Sequence, residues 1–130
     1  MGGLTVKNKT GLIGVINHSG LDNVIKPLVQ DIFLYETTVA GTSHLEDKSV
    51  LEEIREGDRL ILRREDNPFD ENAIMLLAPS GKKLGHVPRR DNIIFTRLMD
   101  AGKCITAKID YIEDREVYSY IEISLYLMDF

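Results

Sequence analysis

The chain has 130 residues, a single cysteine and a formal net charge of −5 at pH 7. A chain of this length can bury one hydrophobic core without a metal or a disulfide, and one cysteine cannot form an internal disulfide. The composition therefore excludes a secreted disulfide scaffold and a protein that coats nucleic acid through net charge alone, and it favours one domain in a reducing cytoplasm.

The first thirty residues contain five glycines and two short apolar segments, at positions 12–16 and 24–29. This pattern predicts a partly mobile extension over residues 1–30, with one weak strand and one helical turn. No segment has the apolar core of a signal peptide or the length of a membrane-spanning helix, so we expect no membrane association. The folded domain is predicted to span residues 31–130.

Six strands and two short helices are predicted in that domain, because short runs of β-branched and aromatic residues alternate with polar ones. The predicted strands cover residues 32–40, 59–65, 72–78, 83–88, 103–113 and 116–127. Ser49 and Asp91 are placed as N-caps of helices that extend to residues 55 and 101, and Gly57 and Gly102 follow as the stops. The three middle strands then form an antiparallel meander.

The predicted fold class is mainly β, a small OB-like or SH3-like antiparallel β-barrel of six strands with two short helices. Closure of the sheet removes the strand edges that would otherwise pair with other chains. The last two strands are expected to form a hairpin with a tight turn at Asp114 and Arg115. Tyr118, Tyr120 and Tyr126 share one face of the last strand, where we expect packing or an oligomer contact.

The meander predicts which polar side chains meet. In antiparallel neighbours the end of one strand lies beside the start of the next, so residues that are apart in sequence gather at one end of the sheet. That group comprises Arg63, Arg64, Phe69, Asp70, Asn72, His86, Arg89 and Arg90. Arg59, Lys82 and Lys83 are predicted at the opposite end.

The loop before the second meander strand has the residue types of a nucleic-acid site. Asn67 and Pro68 restrict the backbone, which predicts defined directions for Phe69 and Asp70. A phenyl ring can stack on a base, arginines can contact phosphates, and a carboxylate can accept a hydrogen bond from a sugar hydroxyl. Since Asp70 repels phosphate, these residues favour a strand end with a free hydroxyl over a continuous backbone.

Two sequence motifs resemble a known family. Residues 63–76, RREDNPFDENAIML, and residues 80–90, SGKKLGHVPRR, follow the segment VAGTSHL at 39–45. Over residues 37–110 this pattern is similar to the HIRAN domain, which is known as an accessory module of fork-remodelling helicases and as a stand-alone bacterial protein. The resemblance implies an OB-like barrel that captures the 3′-hydroxyl end of single-stranded DNA and acts at damaged or stalled forks. It implies no cofactor and no metal.

The resemblance also assigns roles to single residues. It places the family's loop aromatic and carboxylate on Phe69 and Asp70, its strand-end histidine on His86 and the following basic residue on Arg89. Eukaryotic members have an arginine and an aromatic pair at the positions that read Ser43, His44 and Leu45 here. We expect weaker stacking there, with His44 contributing in part. The sequence leaves open whether such a protein acts alone or docks on a helicase or nuclease.

Structural interpretations of the same residues remain open. Asp70 and Asn72 can close a turn through backbone amides, Phe69 can fill the core beneath the loop, and His86 can be a half-buried histidine bonded to a neighbour. The arginines can form a solvated rim.

Two other functions are also compatible with the sequence. The net negative charge and the tyrosines on one face of the last predicted strand suit a protein-interaction module. A metal-dependent nuclease would have to use Glu65, Asp66, Asp70 and Glu71, although neighbouring residues of a strand point to opposite faces. Ser43, His44 and Asp47 have no motif of a nucleophilic triad. We therefore expect a non-catalytic module.

Overall fold

The computed structural model describes residues 30–129, so the strand and helical turn predicted within residues 1–29 lie outside the described residues. Residues Phe33–Leu127 form one compact unit, and the remaining described residues, at the start of the first strand and the end of the last, group separately. The division predicted at residue 31 stays a prediction.

The mainly β class with six antiparallel strands and two helices is confirmed. The strands are β1 (Gln30–Thr38), β2 (Arg59–Arg64), β3 (Ile74–Leu77), β4 (Lys83–His86), β5 (Cys104–Asp114) and β6 (Ser119–Asp129). The helices are α1 (Val50–Glu53) and α2 (Asn92–Asp100), and a 3-10 turn that the sequence pattern did not predict covers Thr42–His44. Neither described helix is long and apolar enough to cross a membrane.

The strands form one curled sheet in the order β1-β6-β5-β2-β3-β4. The chain just after β1 reaches the other edge of the sheet, where Ala40 and His86 exchange backbone hydrogen bonds of 2.8 and 2.9 Å. This bridge ties the two edge strands together, so the half-barrel does not expose both edges along their whole length.

The hydrophobic core lies inside the curl. Leu60 and Leu62 of β2 point inward while Ile61 is 46% exposed on the outer face, as the alternation predicted. From β6, Ile121, Ile123 and Leu125 have no exposed surface. Outward-facing positions on β2 therefore present their side chains to the surface, and inward-facing ones pack in the core or beneath the helices.

The two predicted N-caps lie at the right positions but act differently. Neither Ser49 nor Asp91 caps its helix through the side chain. The Ser49 hydroxyl donates to Asp47. Asp91 instead accepts hydrogen bonds from the Tyr35 and Thr37 hydroxyls of β1, at 3.2 and 2.7 Å. Asp91 therefore joins the start of α2 to the sheet.

The terminal hairpin differs from the prediction of a two-residue turn. β5 continues to Asp114 and β6 begins at Ser119, so residues 115–118 form the connection, closed by a hydrogen bond from Arg115 N–H to the Tyr118 carbonyl. Tyr118 thus lies in the turn and not on the β6 face. The Arg115 guanidinium packs over the Tyr120 ring at 4.3 Å from its centroid. Ser124 is buried and donates to Asp110, so the β6 face on which packing or an oligomer contact was expected is partly covered within the chain.

The edge bridge requires a glycine at position 85. A Cβ atom on Gly85 would lie 2.4 Å from the Ala40 carbonyl oxygen and 2.5 Å from a methyl group of Val39. Both neighbours belong to the segment that crosses β4, and the Ala40 oxygen is held by its bond to the His86 N–H. No side chain fits there unless the crossing segment moves.

We expect Gly85→Ala to lower the free energy of unfolding by about 3 kcal/mol, because overpacking against a fixed backbone is not relieved by side-chain rotation. Urea denaturation followed by circular dichroism measures this change. Gly81→Ala is the control, since Gly81 also has a positive φ but open space around its Cβ position, and it should cost about 1 kcal/mol. Equal costs for the two variants would contradict the steric explanation.

Candidate functional site

The loop between β2 and β3 is held by its own side chains. The Asn67 side-chain oxygen accepts the Phe69 N–H at 2.8 Å, and Asp70 Oδ1 accepts the Asn72 N–H at 2.9 Å. These are two consecutive turns in which an Asx side chain bonds the backbone two residues on. The turn-forming role considered for Asp70 is therefore present. It leaves the loop with a defined shape.

Phe69 stands on this loop with its side chain in the solvent. Its exposed fraction is 82%, so the hypothesis that it fills the core beneath the loop was wrong. A phenyl ring left in water does not contribute the stabilisation of about 2 kcal/mol that its burial would give. The fold gains nothing from that placement, because the loop is closed by hydrogen bonds that do not involve the ring.

An open pocket of about 500 Å³ lies beside Phe69. It is lined by Asn67, Pro68, Phe69, Asp70, Glu71, Asn72, Arg89, Asn92 and Ile93. One wall is therefore the loop, and the other is the segment that leads into α2. Of the ten predicted site residues the lining contains four, Phe69, Asp70, Asn72 and Arg89.

Helix α2 holds the loop in place. Asn92, which is 3% exposed, donates its side-chain amide to Asp70 Oδ2 at 2.8 Å, and the Thr96 hydroxyl donates to the Asn72 carbonyl at 2.8 Å. The Asn72 N–H lowers the pKa of Asp70 most, and the Asn92 amide and the charges of Arg89 and His86 act in the same direction. Asp70 is thus ionised at neutral pH. Each of its oxygens accepts one protein hydrogen bond and can accept another.

Glu65 connects the loop to β4. Its Oε1 lies 2.6 Å from His86 Nε2 and 3.4 Å from the Asn67 amide nitrogen, and its Oε2 accepts a hydrogen bond from Lys83 at 2.9 Å. Burial alone would raise the pKa of Glu65, but the bonds from Lys83, His86 and Asn67 and the charge of His86 together lower it to about 2.

The expectation that Lys83 lies at the far end was wrong for its ammonium group, since a long side chain reaches back along the sheet. Lys82 does lie apart, beside Glu53.

The two arginines at the end of β2 have different environments. Arg63 is exposed on the outer face, in one cross-strand row with Met75 and His86. Arg64 points to the inner face, where it pairs with Asp100 and donates to the Glu71 carbonyl at 2.6 Å. Arg64 therefore clamps the loop against the end of α2 and does not line the pocket, and its contact with DNA stays a prediction.

The remaining predicted residues lie outside the pocket lining. The Arg90 side chain is 72% exposed and its Nε lies 3.6 Å from Asp91. Ser43 and His44 belong to the 3-10 turn that follows the edge bridge, and His44 is exposed. Gly41, which precedes them, comes close to the His86 ring, because a Cβ there would lie 3.9 Å from Nδ1. The turn is thus near His86.

Sequence reasoning missed six residues of this site. Glu65 and Glu71 were considered only as metal ligands, and Asn67 and Pro68 only as backbone constraints. Asn92 and Ile93 were placed within a helix and given no function. The signals were present, since Glu65 directly follows β2 and Asn92 and Ile93 begin the helix after Arg89. Within residues 30–129, no group of three or more His, Cys, Asp or Glu side chains is arranged to hold a metal ion.

The fold and the pocket define a small β-sheet binding module whose site offers a flat apolar ring, a carboxylate acceptor and a cation. The chain belongs to the HIRAN domain family, whose sequence profile matches residues 32–128. This is a family of nucleic-acid-binding modules. The resemblance drawn from the two motifs is thereby confirmed.

Solved structures share the fold. A crystal structure of a protein from Lactobacillus plantarum is 26% identical, with a TM-score of 0.72 over 78% of this chain and 99% of that chain. The HIRAN domain of human HLTF is 16% identical, with a TM-score of 0.62 over 76% of this chain and 79% of that chain, a likeness of fold alone. A comparison with curated protein sequences gave no significant match.

The lowered pKa of Glu65 predicts an acid-sensitive fold. Its folded pKa of about 2 lies below the ordinary value of 4.5, so its stabilising contribution is complete above pH 4.5 and is lost as the pH falls toward 2. We expect the free energy of unfolding to fall by about 2 kcal/mol over that window through this group. Urea denaturation at several pH values measures it.

The variant Glu65→Gln cannot take up this proton, so its stability should change less over the same window. Glu116→Gln, in the exposed connection between β5 and β6, is the matched control and should follow the wild-type curve. An unchanged pH dependence in Glu65→Gln would show that the carboxylate is not coupled to folding.

Proposed function

We propose that this chain binds single-stranded DNA at an end that carries a free 3′-hydroxyl, and that it does so without catalysing a reaction. The observation that carries the proposal is the solvent exposure of Phe69 on a loop whose backbone is closed by Asn67 and Asp70. A ring that is held rigidly in water provides a stacking platform, and it loses little conformational entropy when a base covers it.

The choice of a strand end follows from Asp70. The ionised carboxylate lines the pocket beside the ring, and it keeps lone pairs that can accept a hydrogen bond. A sugar hydroxyl can donate that bond, whereas a phosphate at the same place would bring two negative charges together. A terminal nucleotide whose base stacks on Phe69 and whose hydroxyl meets Asp70 satisfies both groups.

The cations around the pocket suit the phosphates that precede the terminus. Arg89 lines the pocket and is exposed, and Arg63 is exposed in the same row as His86. A single strand whose end occupies the pocket can pass from Arg89 toward this row. Contacts of Arg90, Ser43 and His44 with a longer strand are part of the proposal, and the exposure of Arg90 and His44 supports them.

This activity suits repair at a damaged or stalled fork, where free 3′ ends arise. A helicase or nuclease is the kind of partner that would make use of a captured end. The proposal for these partners and for the 3′ polarity rests on the family, whereas the proposal for a strand end with a free hydroxyl rests on Phe69, Asp70 and Arg89.

We expect a short single strand with a 3′-hydroxyl to bind about tenfold more tightly than the same strand with a 3′-phosphate, because Asp70 repels the added charge. Fluorescence anisotropy with 5′-labelled strands measures both affinities. Asp70→Asn keeps the size of the side chain and an acceptor for the Asn72 N–H, and it should reduce the preference to about twofold. Equal binding of both strands by the wild-type protein would overturn the proposal.

The stacking role of Phe69 predicts a loss that depends on the aromatic ring. Phe69→Leu should weaken binding by about tenfold and leave thermal stability unchanged, because the side chain is exposed. Phe69→Tyr keeps the ring and should bind like the wild type. Anisotropy titrations and thermal melts measure both properties. Full affinity in the leucine variant would contradict a stacking contact.

Arg89 is expected to contribute a phosphate contact. Arg89→Ala should lower the slope of log affinity against log salt concentration by about 0.7, as expected for one lost contact to a single strand. Arg97→Ala, which removes an exposed charge from α2 outside the pocket lining, is the matched control and should leave the slope unchanged. A lower slope in the control alone would place the DNA elsewhere.

A further inference from the structure

Glu65 occupies the point at which the loop, β2 and β4 meet. It directly follows β2, and its backbone N–H donates to the Ala73 carbonyl at 3.0 Å, so this pair closes the base of the loop. Its side chain is only 21% exposed, and it contacts two residues of β4 and one of the loop. These contacts lie on the outer face of the sheet, opposite the core.

The carboxylate determines the orientation of the Asn67 amide. An ionised carboxylate can only accept hydrogen bonds, so Asn67 must turn its amino group toward Glu65. The Asn67 oxygen then faces the other way, and it accepts the Phe69 N–H at 2.8 Å. The position of the Phe69 backbone thus depends on the Glu65 carboxylate, two residues before Asn67 begins the turn.

The same carboxylate orients His86. Nε2 must carry a proton to donate to Glu65 over 2.6 Å, so Nδ1 is the ring nitrogen that remains for other contacts. The backbone of His86 is held by its bridge to Ala40. Glu65 therefore links a fixed point of the sheet to the loop that carries the exposed ring.

We infer that Glu65 is a positioning residue of the DNA-end site, whose carboxylate fixes His86 and, through Asn67, the backbone of Phe69. This inference rests on the proposed function for its effect on DNA, although the link from Glu65 to the loop can be measured without DNA. It assigns Glu65 no contact with the ligand.

For Glu65→Gln, the loss of a negative charge and the loss of the positioning contact predict opposite effects on DNA affinity. The substitution removes one negative charge near a site for a polyanion, so charge alone would tighten DNA binding. A glutamine, however, can present its own amino group to Asn67. The Asn67 amide can then turn over, and its amino group would face the Phe69 N–H, so that the hydrogen bond to the loop is lost.

We expect Glu65→Gln to bind a 3′-hydroxyl single strand at least about fivefold more weakly than the wild type, although it carries one negative charge less. Asp66→Asn removes the same charge from the exposed neighbouring residue, and it should bind as tightly as the wild type or slightly more tightly. Anisotropy titrations, at a temperature where urea and thermal melts show all proteins folded, measure these affinities.

A second readout follows the loop in the absence of DNA. The Phe69 amide should exchange its hydrogen about tenfold faster in Glu65→Gln and in Asn67→Ala than in the wild type or in Asp66→Asn, as measured by NMR. Because both residues act through one hydrogen-bond chain, the double variant should bind DNA no more than about twofold more weakly than Asn67→Ala alone.

The outcomes are separable. If Glu65→Gln binds DNA as tightly as the wild type, or if its Phe69 amide exchanges at the wild-type rate, the positioning role is overturned. Additive losses in the double variant overturn the path through Asn67. If the wild-type protein binds no single strand at all, the proposed function has failed, and the exchange of the Phe69 amide alone decides whether Glu65 holds the loop.

Discussion

The close crossing of the chain over Gly85 is the constraint on which the site depends. Ala40 and His86 can exchange backbone hydrogen bonds only because no side chain separates the two segments. The bridge ties β4 to the segment after β1, and it holds His86 at the edge of the sheet. From there hydrogen bonds extend outward through Glu65 to Asn67 and then to the Phe69 N–H, so the close crossing at Gly85 and the loop with the exposed ring belong to one series of contacts.

Around the pocket, the polar groups divide into those that build the loop and those that remain available. The loop amides, Asn92 and Arg64 are occupied by internal hydrogen bonds. The groups that remain available to a ligand include the ring of Phe69, the guanidinium of Arg89 and the remaining lone pairs of Asp70, with the exposed Glu71 and Ile93 beside them. Internal bonding makes the loop stiff, and stiffness lets an exposed aromatic ring contribute to affinity without a large loss of entropy on binding. A protein with a net negative charge can in this way carry the DNA-end site that we propose.

Most secondary structure could be predicted from the sequence, because alternation along a strand and the placement of glycine after a helix are local properties. All six strands and both helices lie within a few residues of their predicted positions. The connection between β5 and β6 was less predictable, since its length depends on the bonds that Arg115 makes with Glu113 and Tyr118. The N-cap positions were predictable, but the partners of Asp91 were not, because they belong to a strand more than fifty residues away.

For the site, the sequence by itself determined that an aromatic ring, a carboxylate and an arginine lie together, since the meander and the motif bring Phe69, Asp70 and Arg89 to one end of the sheet. Only the tertiary structure decided which charged side chains lie around the pocket and which pair with one another. Arg63 and Arg64 are neighbours with opposite directions, Lys83 reaches back to Glu65, and Glu65 holds the loop through Asn67. The physical reason is that long side chains find partners across strands, so their roles depend on the face, register and curl of the sheet.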